Sequence, residues 1–366
     1  MLTANNEYAA PILWSLSRVS GPLFQVPLFA AFETGERAWT VSCAEAISSS
    51  VFTAAGRSIG QPNLSRTLPA LARLPAERSQ LARAVAQRGT IVHVTMTSPA
   101  DALLLPTKAQ TNVPVVVTIH DHERHLGEKN RLLDFIDERI FAKADHIATL
   151  SRVVYDGVRR RRPSVPVHLV ENGLATRTTR GLPARPGFLG RTPRLLFVGR
   201  IHAYKGVDLL LDALSLLRAS GRGIRCTIAG SGDTAPYADK LAALDEVQLI
   251  NRWLTDQEVE GLLAEHDILV LPYLEATQSG VAVDAQWAAM PAIATPVGAL
   301  VDQFRHGETA LIAPDVSTKS LAETIGKLTS NERLFCDLSK RSHDAYRDKD
   351  LPAIASCWKQ LYQEIA

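Results

Sequence analysis

Arg200 and Lys205 stand five residues apart at the two ends of one strand-to-helix turn, with Gly199 and Gly206 beside them. Residues 194–214 read as an apolar strand, a Gly-Arg loop, then a Lys-Gly pair opening an amphipathic helix. A strand ending at Val198 brings Gly199 and Arg200 to the carboxyl edge of a parallel sheet, where open α/β folds hold ligands. Arg200 offers a planar fork for paired phosphate oxygens and Lys205 a mobile point charge. Gly206 lets a helix start with its amides towards an anion. The chemistry is recognition of a diphosphate; the bland alternative is two solvated surface cations.

A second set, His120-Asp121-His122-Glu123-Arg124-His125, follows an apolar run ending at Ile119. Imidazole and carboxylate suit zinc or manganese, with His93 on a neighbouring strand as a further ligand, and such a centre would hydrolyse. A histidine at a strand end also serves as a hydrogen-bond donor to developing charge. A structural role is the third reading. The single Asp-x-Asp, Asp348-Lys349-Asp350, lies between two helical patterns and reads as a solvated turn. Thr277-Gln278-Ser279-Gly280 is poor core material.

Taken in order, these segments resemble the retaining glycosyltransferases of family 4. Arg194 to Leu214 is similar to the donor loop of that family, and Cys226 to Gly232, with Gly230 and Gly232, to its strand followed by Gly-x-Gly. Val247 to Val259, with Arg252 and Trp253, resembles the strand and loop at the nucleotide base. Asp267 to Tyr273, Ala276 to Gly280, Pro291 to Thr295 and Gly298 complete the series. The resemblance implies two Rossmann-like doubly wound domains facing a cleft, the GT-B arrangement. It places His120 near the anomeric carbon of the transferred sugar, with Asp121 and His125 on the acceptor side.

One block departs from the family. Most members carry Glu-x7-Glu before the last Gly-x-Pro, the first carboxylate on the donor sugar and the second on the ribose. Ala276 and Asp284 hold those places here. By this resemblance sugar contact passes to Glu275, Thr277, Gln278 and Ser279, while the amides of Gly280 and Val281 face the distal phosphate. The Pro-Tyr-x-x-Ala-Thr-Gln-Ser-Gly form resembles a branch that lacks the usual pair.

The implied activity moves a hexose from a UDP- or GDP-sugar to a lipid-linked or polysaccharide acceptor with retention of configuration. Arg200 and Lys205 neutralise the leaving diphosphate, so neither metal nor cofactor is expected, and no nucleic-acid partner. Other readings stay open. They are a nucleotide-sugar epimerase or phosphorylase of the same fold, a metal-dependent hydrolase on His120, Asp121 and His122, and a catalytically silent sugar-nucleotide-binding subunit.

The elements around these motifs agree with two domains. A chain of 366 residues exceeds what one core usually supports, and 46% hydrophobic with 21% charged residues is a globular composition. Short apolar runs at Ile12 to Leu16, Ala38 to Cys43, Thr90 to Thr95, Val113 to Ile119, His146 to Leu150 and Val167 to Val170 alternate with helical patterns, as in a doubly wound parallel sheet. Leu174 to Pro193 reads as a linker, giving an acceptor-binding domain over 1–180 and a nucleotide-sugar domain over 181–346. By the resemblance, the helix in 347–366 crosses back to the amino domain.

The net charge of +2 hides an asymmetry, since residues 1–185 carry 22 Lys and Arg against 15 Asp and Glu and the remainder 18 against 23. A basic amino half suits an anionic acceptor or membrane surface. Arg159 to Arg162 is its densest run, or else a helix end whose cations complement the dipole. Four scattered cysteines, Cys43, Cys226, Cys336 and Cys357, read as reduced thiols. No charged signal-peptide start and no long apolar window are found. The expectation is a cytoplasmic protein, peripheral on the inner face of the cell membrane.

Overall fold

The computed structural model describes residues 12–15, 90–94, 114–123, 131–170, 182–188, 190–346 and 351–365. The expected strand at Ala38 to Cys43, His125 and Asp348 to Asp350 lie outside them.

The first sheet has the order β1 (Ile12–Ser15), β2 (Thr90–Val94), β3 (Val115–Ile119), β4 (His146–Thr149), β5 (Val167–Leu169), all parallel. Parallel strands need crossovers and are covered on both faces, so they read as unbroken apolar runs. Val115–Ile119 is buried throughout. Between strands lie α1 (Arg131–Phe141) and α2 (Arg152–Arg161). Ser151 caps α2 by accepting the Val154 N–H at 3.3 Å, and Arg159, Arg160 and Arg161 fill its last turn, where cations suit the helix dipole.

The second sheet contains β6 (Arg194–Val198), β7 (Arg225–Gly230), β8 (Val247–Asn251), β9 (Ile268–Leu271), β10 (Ala292–Ala294) and β11 (Ala310–Ile312). Their order is β11-β10-β9-β6-β7-β8, all parallel. The chain winds outward in both directions from the β6 and β9 pair, and that reversal is the doubly wound switch point where such sheets bind ligands. The helices are α3 (Val207–Ala219), α4 (Ala238–Ala242), α5 (Asp256–Glu265), α6 (Gly280–Trp287), α7 (Leu300–Gln303), α8 (Thr318–Thr329) and α9 (Glu332–Tyr346). Thr255 and Glu258 form a reciprocal capping box at α5.

The described residues fall into two compact units. The amino unit holds β1 to β5, α1 and α2 together with the last helix, α10 (Leu351–Ile365); the carboxyl unit holds β6 to β11 and α3 to α9. α10 packs on the first sheet through His93 of β2. The Tyr362 hydroxyl lies 2.6 Å from His93 Nδ1, Thr118 Oγ1 lies 2.7 Å from Nε2, and the Trp358 ring is 5.0 Å from the imidazole.

Part of the expected linker is instead bonded to the carboxyl unit. The Leu182 N–H donates to Trp287 O at 2.6 Å, and the half-buried Arg185 guanidinium donates to the carbonyls of Leu263 at 2.5 Å, Ala288 at 3.1 Å and His266. Arg191 makes a two-pronged pair with Asp267 at 2.6 Å on each oxygen. These contacts are polar and aimed at helix and strand ends, so the segment shows no apolar periodicity. Among the described residues, no helix is long and apolar enough to cross a membrane.

Candidate functional site

In the carboxyl unit, the loops that leave β6, β7 and β9 meet over the switch point. Gly230 ends β7 with φ 145°, and a Cβ there would stand 1.8 Å from Gly199 O, so the first two loops touch backbone to backbone. Asn251, at the end of β8, donates to Gly232 O and accepts from Gly232 N–H, both at 3.1 Å, fixing the Gly-x-Gly turn.

The third loop is sewn to the first. Gly206 has φ 68°, and its missing side chain leaves room for Pro272 O, which a Cβ would meet at 1.8 Å. Beside it the Leu274 N–H donates to Tyr204 O at 2.7 Å. Lys205, half-buried between these loops, points its Nζ at the face of Tyr273, 3.7 Å from the ring centroid. Arg200 is exposed and donates to the Tyr204 hydroxyl at 3.2 Å.

Beyond Tyr273 the chain enters α6, whose axis starts at Gly280. Val281, in its first turn, is 4.0 Å from where a Gly199 Cβ would be. Thr277 and Ser279 are buried, Glu275 and Gln278 half-buried, and Gly280 exposed. Asp284 lies buried one turn further along α6. Gly199, Lys205, Gly206, Gly230, Gly232, Ser279, Gly280 and Val281 are thus brought together. Arg252 and Trp253 follow β8, two strands from β6 along the same edge. Glu258 holds Arg252 at 2.5 Å, and Trp253 is 75% exposed.

Three residues were missed in the sequence. Tyr273 orients Lys205; Gln303 bonds Ser279; Asn251 holds Gly232. Only Tyr273 carried a signal, its place two residues past the strand end at Leu271.

In the amino unit, His120 and Asp121 follow β3 directly, at the carboxyl end of that sheet. The His122 ring lies against Gly157, where an added Cβ would come within 2.4 Å of Cδ2, and burial pulls its pKa down. His93 does not join them as a ligand. Both its ring nitrogens are spent on Thr118 and Tyr362, and complete burial, then the nearby His120, lowers its pKa to about 3. Among the described residues, no group of three or more His, Cys, Asp or Glu converges closely enough to hold a metal ion. The arginine run is largely engaged. Arg161 donates to His122 O at 2.6 Å and to Glu123 at 2.7 Å, Arg162 pairs with Glu138, and Arg159 meets the Tyr155 hydroxyl at 3.2 Å.

Residues 192–331 match the family model for glycosyl transferases group 1, and residues 44–173 that of a glycosyl transferase 4-like domain. An alpha-D-kanosaminyltransferase of Streptomyces kanamyceticus is 26% identical over 66% of this chain and 66% of its own. A glycogen synthase of Mycobacterium tuberculosis is 29% identical over 69% and 63%. The chain therefore spans about two thirds of the length of the curated relatives it matches. Among solved structures, sucrose-phosphate synthase from Thermosynechococcus elongatus superimposes with a TM-score of 0.64 at 19% identity, over 85% of this chain and 82% of that one. The Anabaena protein HepE in complex with UDP gives 0.62 at 14% identity, over 83% and 84%. These likenesses show the fold, two α/β units of the GT-B type.

Proposed function

We propose, for a chain that carries a 4-like and a group 1 glycosyl transferase domain, that it moves a hexose from a UDP- or GDP-sugar to a saccharide acceptor with retention of configuration. One observation supports this most: Lys205, the Gly199 backbone and the amino end of α6 converge where β6 and β9 diverge. That is the place and the set of donors a diphosphate needs. HepE, which shares the fold, was solved with UDP and with UDP-glucose.

The chemistry follows from the groups. As the bond from the anomeric carbon to the diphosphate breaks, negative charge collects on the leaving phosphate. Arg200, Lys205 and the α6 amides are charges and dipoles fixed beforehand, and such preorganisation is usually the largest catalytic term. The sugar passes through an oxocarbenium-like state, the acceptor hydroxyl enters on the face the diphosphate leaves, and its proton passes to the departing phosphate oxygen, so configuration is retained. His120 is assigned hydrogen-bond donation to the transferred sugar, and Asp121 and His125 are assigned to the acceptor. Glu275, Thr277, Gln278 and Ser279 contact the sugar; Arg252, Trp253 and Asp284 serve the nucleoside. Protein cations take the role a metal plays elsewhere, and no cofactor is needed.

The acceptor is a lipid-linked saccharide or surface polysaccharide, met by the basic amino half at an anionic membrane on the cytoplasmic side. The experiment is a binding and turnover screen of UDP-, GDP- and ADP-sugars. Saturable binding of one of them, with release of its nucleoside diphosphate, supports the proposal; binding of none contradicts it.

A further inference from the structure

Lys205 and the start of α6 come from different loops, and a diphosphate is held only if the distance between them is fixed. We infer that Tyr273 and Gln303 are the positioning residues that fix it, in the service of a nucleoside diphosphate. This rests on the donor site proposed above.

Tyr273 is the first link. Its ring face carries the Lys205 ammonium at 3.7 Å and its hydroxyl reaches Ser279 Oγ at 3.4 Å, so one rigid side chain touches both loops. It is 1% exposed, and burial holds its pKa up at about 12, which keeps the phenol neutral. A neutral ring face orients an ammonium through its quadrupole.

Gln303, at the end of α7, is the second link. Ser279 precedes α6 as its N-cap, yet its side chain makes no capping bond and turns to Tyr273 instead. The backbone of Ser279 is held from outside the helix. Its N–H donates to Gln303 Oε1 at 3.0 Å and its carbonyl accepts from Gln303 Nε2 at 2.9 Å, so a single primary amide grips both backbone polar groups of one residue. Gln303 is fixed in turn, because its own carbonyl accepts from Gln286 Nε2 at 3.1 Å. The first turn of α6 is thereby placed without an N-cap side chain lying across its amides, the arrangement an anion site at a helix start requires.

The test is isothermal titration of the full chain with UDP and with UMP, alongside GDP and GMP, in four proteins: wild type, Tyr273→Leu, Tyr273→Phe and Gln303→Glu. Loss of the ring contact in Tyr273→Leu weakens the diphosphate by about fivefold to tenfold, the scale of one cation–π contact. Tyr273→Phe keeps the ring face and stays within about twofold of wild type, since only one long hydrogen bond is lost. Gln303→Glu keeps shape and one bond but sets a carboxylate against the Ser279 carbonyl, and weakens the diphosphate by a similar fivefold to tenfold on the same scale. Affinity for the monophosphate changes little in all of them, which a merely structural role would not spare. Gln303→Glu carries the test if Tyr273→Leu yields no folded protein. Equal diphosphate affinity in Tyr273→Leu or Gln303→Glu and wild type, or equal loss for mono- and diphosphate, overturns the inference. Wild type that binds neither UDP nor GDP overturns the donor site itself and this inference with it.

Discussion

Lys205 and Tyr273, on different loops of the carboxyl unit, meet as ammonium and aromatic face at 3.7 Å, beside the point where Gly206 passes under the Pro272 carbonyl. The contact ties the loop after β6 to the loop after β9. Those strands are neighbours at the centre of the sheet, with Leu195 opposite Ile268.

Gly206 is the backbone counterpart of that contact. With φ 68° and a Cβ clash at 1.8 Å against Pro272 O, Gly206→Ala has to part the two loops. The expected cost is about 2 kcal/mol or more from the left-handed conformation and the clash together. Thermal unfolding of the carboxyl unit checks it, and an unchanged midpoint would show that the loops part freely.

His93 gives the amino unit a pH dependence of known sign. Unfolded, the imidazole takes a proton near 6.5; folded, only near 3. A lowered base contributes stability that is present above 6.5 and is lost as pH falls towards 3, because only the unfolded chain binds the proton. The loss is at most about 5 kcal/mol at about 1.4 kcal/mol per pKa unit. His122 and His168 are shifted in the same direction, again chiefly by burial. Urea unfolding between pH 7.5 and pH 4.5 should therefore show a shallower slope for His93→Gln than for wild type. Equal slopes would mean that His93 is not kept neutral.

The arginine run divides by its partners. Arg161 and Arg162 hold Glu123 and Glu138, so replacing this pair with Gln should lower stability, by about 1 kcal/mol or less for partly exposed ion pairs. Arg159 and Arg160 are the members for which attraction to anionic lipid is proposed. Replacing them with Gln should weaken sedimentation with phosphatidylglycerol vesicles, and salt should do the same, since exposed charges are screened beyond about 8 Å at physiological ionic strength. Vesicle binding that ignores salt and both changes would make the run a helix end alone.

Metal removal separates the transferase from the hydrolase. With Arg200 and Lys205 neutralising the diphosphate, turnover should survive EDTA, whereas a centre on His120, Asp121 and His122 would lose its activity. Abolition by EDTA with recovery on adding zinc or manganese would favour the hydrolase.

What was legible in the sequence was local. The apolar run Arg194–Val198 ended where expected and delivered Gly199 and Arg200 to the sheet edge, because a parallel strand buried on both faces has an unmistakable pattern. The runs at Thr90, Val113, His146 and Val167 likewise became β2 to β5. What stayed hidden joins distant residues through polar atoms. Gln303 grips Ser279 from another helix, and His93 meets Tyr362 from near the far end of the chain. Neither leaves a period or a spacing. Residues 182–191 looked like a linker for the same reason, since Arg185 and Arg191 dock by hydrogen bonds rather than by an apolar face.

The measurement that tests the central claim most directly is turnover of nucleotide sugars by wild type and Lys205→Ala, with the anomeric configuration of the first-formed product read by proton NMR. The expected result is release of the nucleoside diphosphate, a product with the configuration of the donor, and a fall of about 100-fold or more in Lys205→Ala, the usual scale for losing one charge stabiliser. Wild-type turnover matched by a folded Lys205→Ala, or an inverted product, would contradict a diphosphate-stabilising, retaining transferase.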